Sequence, residues 1–365
     1  MTIAISEVPK ALEMNFRANR PVKIIGASGV GKTDTGMQYA TLQGPDYCVC
    51  ELNAATANLP DIMGVLMPGT EKWPSAANDN EIITLTTGRY AYPYFARDKR
   101  TGVPAFCFKR GLIIIEEYGQ ATGDVKRALA SLIWEKRIGE WRFDGFDILL
   151  LSNRPQDRSG VSKDFDFIIN RLVILEARAE IEGWLVWAHD HGVSNTTLAY
   201  AHRNTDKVFS NKAPEKQGPW LTPRSLVTAD EQVKSAMSMG MKLDDMFLWE
   251  NLAGAIGEGM ATEYVAFAKI RDSLPSISAI LADPERCHLP REMNQQIFLV
   301  FDLASKATKD NISQVITYIN RMPQDFAIAF YRSAMQRDGG LRSTKAFGDW
   351  AVKNVGLLSA ISSAR

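Results

Sequence analysis

Cysteine and histidine are scarce in this 365-residue chain, with four of each. Four cysteines over such a length make no disulfide framework. No apolar run approaches the roughly 18 residues that span a bilayer. The opening residues, Met1-Thr2-Ile3-Ala4-Ile5-Ser6-Glu7, lack both a basic start and a long apolar stretch, so no secretory signal is expected there. An excess of either charge is also missing: 42 Lys and Arg face 42 Asp and Glu. That balance argues against a protein whose main work is coating nucleic acid or an anionic membrane, while leaving room for a local basic patch. What remains is the composition of a folded chain, 45% hydrophobic and 23% charged. The expectation is a cytoplasmic globular protein of two to three domains, at about 150 residues each.

The first half reads as α/β. Five short apolar runs have strand length and β-branched content: Val22 to Ile25, Tyr47 to Leu52, Leu112 to Ile115, Ile148 to Leu151 and Leu172 to Leu175. They are nearly continuous rather than alternating, as strands of a parallel sheet covered on both faces should be. Between them, Val125, Leu129, Leu132 and Ile133 form an i, i+4, i+7, i+8 stripe that Thr122 or Asp124 is placed to cap. After Ala179 the strand signal stops. Ile181 to His189, Glu250 to Ala268, Met293 to Ala307, Ile312 to Arg321 and Asp325 to Met335 suit helices. Thr70 to Asp79 and His202 to Pro219 read as loops, the second long for a connection inside a compact domain. The expected division is an α/β domain over 1–178, a helical domain over 179–270 and a helical extension over 271–365.

One segment carries recognisable chemistry. Gly26-Ala27-Ser28-Gly29-Val30-Gly31-Lys32-Thr33 fits the phosphate-loop pattern G-x-x-x-x-G-K-[ST]. Glycines let successive N–H groups point inward at a β-phosphate, and the helix that follows adds its positive end. Lys32 is suited to the β- and γ-phosphates and the Thr33 hydroxyl to Mg²⁺; Asp34 opens the helix. A strand leads in and a helix is expected to lead out, which is the context this pattern requires.

Leu112-Ile113-Ile114-Ile115-Glu116-Glu117 supplies two adjacent carboxylates at a strand's C-terminal end, where open α/β sheets bind ligands. The first can organise Mg²⁺ and its waters and the second can polarise an attacking water. Two solvated glutamates after a core strand is the competing reading. Ile148 to Leu151 runs on into Ser152-Asn153-Arg154, where Asn153 is either a holder of the lytic water or a turn-former.

In this order the parts resemble the AAA+ ATPases, and most closely their MoxR-like group: phosphate loop, paired-acid strand, asparagine-ended strand, then Ile168-Ile169-Asn170-Arg171 before a fifth strand. Asn58 to Gly64, Ala128 to Arg137 and Leu221-Thr222-Pro223-Arg224-Ser225 carry the closer likeness, which covers roughly residues 1–260. The resemblance implies a P-loop AAA+ core with a five-stranded parallel sheet, followed by an all-helical lid and a C-terminal helical region. It implies nucleotide contacts from Gly26, Ser28, Gly29, Val30, Gly31, Lys32, Thr33 and Asp34, and Mg²⁺ at Thr33 and Glu116. Glu117 takes the position of catalytic base, Asn153 of first sensor, Arg171 of arginine finger and Arg224 of second sensor. Without the family, each arginine reads as a surface residue. Glu116 departs from the usual aspartate, and its extra methylene moves the carboxylate outward by about 1.5 Å.

The activity so implied is ATP hydrolysis driving the remodelling or assembly of a protein client. ATP and Mg²⁺ serve as cofactors, the assembly is a ring, usually hexameric, and the partner carries a von Willebrand factor A domain. A DNA- or RNA-directed motor and a nucleotide-gated scaffold with low turnover are the rivals, and a small-molecule kinase is a third. The nearest basic run, Arg97-Asp98-Lys99-Arg100, is short and broken by an acid. Cys48 and Cys50 share one face of a strand and read as core rather than metal ligands. Tyr92, Tyr94 and Phe95 are either pore-facing aromatics or part of a packed insertion.

Overall fold

The computed structural model describes residues 2–77, 81–157, 159–210, 212, 214 and 217–354. It divides into two compact units, one ending at Arg178 and the other beginning at Ala179. In chain order the first unit contains β1 (Thr2–Ala4), α1 (Val8–Arg17), β2 (Val22–Gly26), α2 (Lys32–Leu42) and β3 (Cys48–Asn53). It continues through α3 (Leu59–Met63), β4 (Leu66–Pro74), β5 (Ile82–Tyr90), β6 (Gly111–Glu116) and α4 (Gly123–Glu135). Then come β7 (Arg137–Ile138), β8 (Trp141–Arg142), β9 (Phe146–Ser152), α5 (Asp166–Ile169) and β10 (Val173–Arg178).

Six of these strands form one parallel sheet in the order β1-β10-β2-β9-β6-β3. The five expected strands are all in it, and the three-residue β1 extends the edge beside β10. The apolar runs are continuous because both sheet faces are covered. Ile113, Ile115, Ile148 and Leu150 meet Val125, Leu129, Leu132 and Ile133 of α4 on one face. Leu112, Ile114, Leu149 and Leu151 join Val8 and Leu12 of α1 and Tyr39 of α2 in the core of the other. Thr122 caps α4, its hydroxyl accepting the Val125 N–H at 3.4 Å.

The stretch from Thr70, expected as a loop, instead belongs to a β4–β5 hairpin registered from Leu66↔Tyr90 to Pro74↔Ile82. Both strands are without a buried face, so their apolar residues, among them Trp73, Ile82 and Leu85, are exposed and follow no core pattern; Ser75 to Ala77 do lie between the strands, and Asn78 and Asp79 lie outside the described residues. Tyr92 packs edge-on against Phe106 and Trp141, and Phe95 is buried, so of the three aromatics considered for a pore only Tyr94 is well exposed. Cys48 and Cys50 are buried with their Sγ atoms 3.7 Å apart.

The second unit is helical: α6 (Ile181–Asp190), α7 (Asn195–Arg203), α8 (Thr205–Val208), α9 (Pro223–Ser238), α10 (Met246–Ile256), α11 (Glu258–Lys269) and α12 (Ile277–Ala282). After these come α13 (Met293–Lys306), α14 (Ile312–Ile319), α15 (Gln324–Arg337) and α16 (Lys345–Lys353). Its core runs continuously from Trp184 to Trp350, with residues on both sides of position 270 contributing. The long helix expected from Glu250 to Ala268 is two helices, broken at the positive-φ residue Gly257. The expected loop from His202 is helical through Val208; residues 211, 213, 215 and 216 lie outside the described set.

Gly64 and Gly44 both have positive φ, but a Cβ on Gly64 would lie 1.9 Å from the Ala91 carbonyl oxygen, whereas one on Gly44 meets nothing within 4 Å. Gly64→Ala should therefore lower stability by about 2–4 kcal/mol in urea unfolding, through clash added to dihedral strain. Gly44→Ala should cost only about 1 kcal/mol, from strain alone. Equal losses at the two positions would contradict the close approach of Ala91.

Candidate functional site

The phosphate-loop segment forms the expected strand–turn–helix. β2 ends at Gly26, and α2 begins at Lys32 with the left-handed Gly31 as its N-cap, φ 92°. Gly29 is also at positive φ, 77°, a conformation that side chains resist. Gly26 has no room for a side chain, since a Cβ there would lie 2.9 Å from the Ala177 carbonyl oxygen. Val30 is buried and holds the turn, Ser28 is exposed, and Asp34 lies in the first turn of α2 where the helix dipole favours an anion. Thr35 closes that turn by donating its hydroxyl to the Gly31 carbonyl at 2.9 Å.

Lys32 Nζ donates to the carbonyl oxygens of Gly26 and Ala27, at 3.0 and 2.9 Å, and to Asn153 Oδ1 at 2.9 Å. Asn153 Nδ2 in turn donates to Glu117 Oε2, again at 2.9 Å. Sheet order explains the meeting: β9 lies between β2 and β6, and parallel strands deliver their C-terminal ends to one edge. The phosphate-loop lysine, the strand-end asparagine and the second acid thus form one hydrogen-bonded chain. Glu117 is one of three non-glycine residues at positive φ among those described, φ 51° and ψ 33°. Such a conformation costs about 1–3 kcal/mol and persists only where its surroundings hold it.

Glu116 ends β6 and is registered with Asn53 of β3. Burial pushes its carboxyl above the usual glutamate range; a hydrogen bond with the Thr33 side chain and the charge of Lys32 oppose that rise, while Glu51 and Glu117 add to it. Its Oε1 is buried with no hydrogen-bond partner. A buried, unpartnered carboxylate oxygen beside a hydroxyl is the donor set a hard divalent cation takes, so the residues present fit Mg²⁺ at Thr33 and Glu116.

Of the two arginines, Arg171 belongs to the first unit and Arg224 to the second. Arg171 follows α5 and is exposed, its guanidinium 5.1 Å from the centre of the Trp134 ring. It precedes Val173, which is registered with Val22, whereas the phosphate loop follows Gly26. Arg171 therefore belongs to the N-terminal edge of the sheet and the phosphate loop to the C-terminal edge. The four steps from Val22 to Gly26 alone separate those edges by about 13 Å. Arg224 lies in the first turn of α9, behind a reciprocal cap in which Thr222 Oγ1 accepts from Ser225 N–H at 3.0 Å and Ser225 Oγ accepts from Thr222 N–H at 2.8 Å. It is exposed.

Sequence reasoning missed a second set of charges beneath the acid pair. Lys23 and Lys126 are almost fully buried, and both form ion pairs with Asp164. The signal was available: a lysine inside the apolar run Val22-Lys23-Ile24-Ile25, and another beside Val125 in the apolar stripe of α4. A charge at a position expected to be core demands a partner.

No protein-family model matches the sequence, and no curated protein matches it. Solved structures with a similar chain course include a mutant form of RuvB from Thermotoga maritima, at 14% identity over 78% of each chain with a TM-score of 0.39. NtrX from Brucella abortus in complex with ADP is similar at 13% identity over 100% of this chain and 69% of that one, TM-score 0.38. Hsp104 in a closed state with ATPγS and FITC-casein matches at 12% identity over 65% and 45%, TM-score 0.40. No residue role is transferred from likenesses of this size. Among the described residues, no helix is long and apolar enough to cross a membrane.

The raised Glu116 carboxyl has a consequence for stability. In the native state its ionisation is penalised relative to the unfolded chain, so a stabilising contribution present at low pH is lost as pH rises through the raised value. Glu116→Gln removes the penalty. Without nucleotide or Mg²⁺ it should melt higher than the parent at pH 8, by about 2–4 °C for each kcal/mol relieved. The advantage should vanish below the ordinary glutamate value of about 4.3. Thermal melts across this range check it, and a parent protein more stable than Glu116→Gln at pH 8 would show that the carboxylate is not penalised.

Proposed function

We propose that this chain is an AAA+ ATPase of the MoxR-like kind, which assembles as a ring and uses ATP hydrolysis to remodel or assemble a protein client. Residues 1–178 bind nucleotide, 179–270 act as the lid and 271–365 extend it. The observation that carries the reading is the Lys32–Asn153–Glu117 hydrogen-bonded chain at the C-terminal edge of the parallel sheet. It links the cation suited to the β- and γ-phosphates with the carboxylate suited to activating water.

In this mechanism the backbone N–H groups of residues 28–32 and the N-terminus of α2 receive the phosphates. Thr33 and Glu116 would hold Mg²⁺, which would supply charge neutralisation at the phosphates. Lys32 exchanges its protein acceptors for phosphate oxygens, which frees Asn153 Oδ1 to orient a water. Glu117, fixed by the Asn153 amide, polarises that water in line with the γ-phosphate. Arg171 supplies its positive charge to the site of a neighbouring subunit, since within its own subunit it belongs to the opposite edge of the sheet. Arg224 takes the second-sensor position through the MoxR-like resemblance.

The charge pattern favours a protein client over nucleic acid. Asp98 is buried and accepts hydrogen bonds from Arg100 and Thr101, and Lys99 pairs with Glu51. Two of the three cations in the basic run are thus engaged by acids of this chain. A von Willebrand factor A domain partner is part of the proposal through the MoxR-like resemblance.

The shared site has a direct test. Glu117→Gln should bind ATP but stall its hydrolysis. Arg171→Ala should assemble and bind ATP, with turnover reduced by about 10³ to 10⁵ if the arginine serves phosphoryl transfer. Lys32→Ala should be equally inactive, yet it offers an intact Arg171 to a neighbour. Mixing Arg171→Ala with Lys32→Ala under subunit exchange should restore turnover, rising with total protein concentration. Confirmed exchange with rates still at background would remove the shared-site mechanism.

A further inference from the structure

Three segments that the proposed mechanism uses converge on a cluster built around Asp164, whose carboxylate pairs with Lys23 and Lys126. Lys23 is 3% exposed and Lys126 1% exposed, and the Asp164 side chain is 9% exposed. Lys126 Nζ lies 3.0 Å from Asp164 Oδ1, and Lys23 pairs with the other oxygen. Lys126 also donates to Ser162 Oγ at 2.8 Å and to the Ser162 carbonyl at 3.2 Å. Both ammonium groups lie 5.4 Å from the centre of the Tyr118 ring. The Ser162 N–H donates to the Gly119 carbonyl at 2.8 Å.

Each partner belongs to a different working part. Lys23 is on β2, which feeds the phosphate loop. Tyr118 and Gly119 directly follow Glu117. Ser162 to Asp164 lead through Phe165, the N-cap of α5, towards Arg171. The N-terminal part of α4 supplies Lys126. With both lysines charged, the group carries one positive charge more than it neutralises, offset in part by the π-face of Tyr118.

Stability does not account for such a group. Buried ion pairs repay their desolvation poorly, and replacing a buried triad by apolar residues of similar volume is often neutral or stabilising. What a triad supplies that an apolar cluster does not is a directional link between chosen segments. We propose that Lys23, Asp164 and Lys126 are positioning residues, forming a strut that transmits nucleotide occupancy from the phosphate loop and the Glu117 turn to the segment carrying Arg171. This rests on the ATPase reading and assigns that site its route of coupling to a neighbour.

The experiment uses the triple variant Lys23→Met, Lys126→Met, Asp164→Leu, with Mg²⁺ and ATPγS as the probe. Its readouts are thermal melting, calorimetric binding, amide exchange across residues 165–172 with and without ATPγS, and ATP turnover. The triple variant should melt at or above the parent and bind ATPγS with similar affinity. ATPγS should alter exchange across 165–172 in the parent but no longer in the variant, and turnover should fall about tenfold, within the usual range for coupling between sites. A variant that folds, binds ATPγS and keeps the parental exchange response and turnover overturns the strut.

Should the triple variant not fold, Lys126→Met leaves a balanced Lys23–Asp164 pair while cutting the link to Ser162. It should lose most of the exchange response, and a full response would again overturn the proposal. Failure of the ATPase reading looks different. A parent protein that shows the exchange response but no turnover contradicts hydrolysis and leaves the strut standing. Turnover without any response at 165–172 contradicts the strut and leaves hydrolysis standing.

Discussion

Parallel strand direction is the constraint on which the site depends. Strands that all run one way deliver all their C-terminal ends to a single edge, and the order β2-β9-β6 makes neighbours of Gly26, Asn153 and Glu117. No local sequence signal joins these residues; the sheet does. The same constraint sends Arg171, which precedes β10, to the opposite edge. In the proposed ring Arg171 serves a neighbouring subunit, and its place at the opposite edge of its own sheet is the observation behind that part of the proposal.

Charge placement at that edge works against stability in small, specific ways. Glu117 is held left-handed, Glu116 has one buried and unpartnered oxygen, and two buried lysines pair with one aspartate. Each is costly alone. They are grouped around one turn, residues 116–119, where costly features collect in the way the proposed function requires. In the central sheet the rules are ordinary, with apolar residues alternating between two covered faces.

Much of this was legible. The strands at Val22, Leu112 and Ile148 were readable because burial on both faces leaves an unbroken apolar run, and the phosphate loop because glycine, lysine and threonine recur at a spacing that chemistry fixes. The β4–β5 hairpin was not, because neither strand has a buried face and the apolar residues of β5, Ile82, Ile83 and Leu85, fall on no single period. The break at Gly257 was hidden in a continuous helical pattern, since a glycine inside a helix costs only about 1 kcal/mol and does not announce an end. Within the candidate site, the sequence showed no connection between Lys32, Asn153 and Glu117. That Asn153 bridges Lys32 and Glu117 is a fact of strand order, and the burial of Lys23 and Lys126 against Asp164 became visible only in the fold.

The central claim is that the edge formed by β2, β9 and β6 binds a nucleoside triphosphate through Lys32. Calorimetric titration of the intact chain with ATP and Mg²⁺, set beside the same titration of Lys32→Ala, measures it directly. The account predicts saturable binding at one site per chain, lost or sharply weakened in Lys32→Ala while that variant remains folded. Binding of equal strength in the two proteins, or no heat in either, would contradict it.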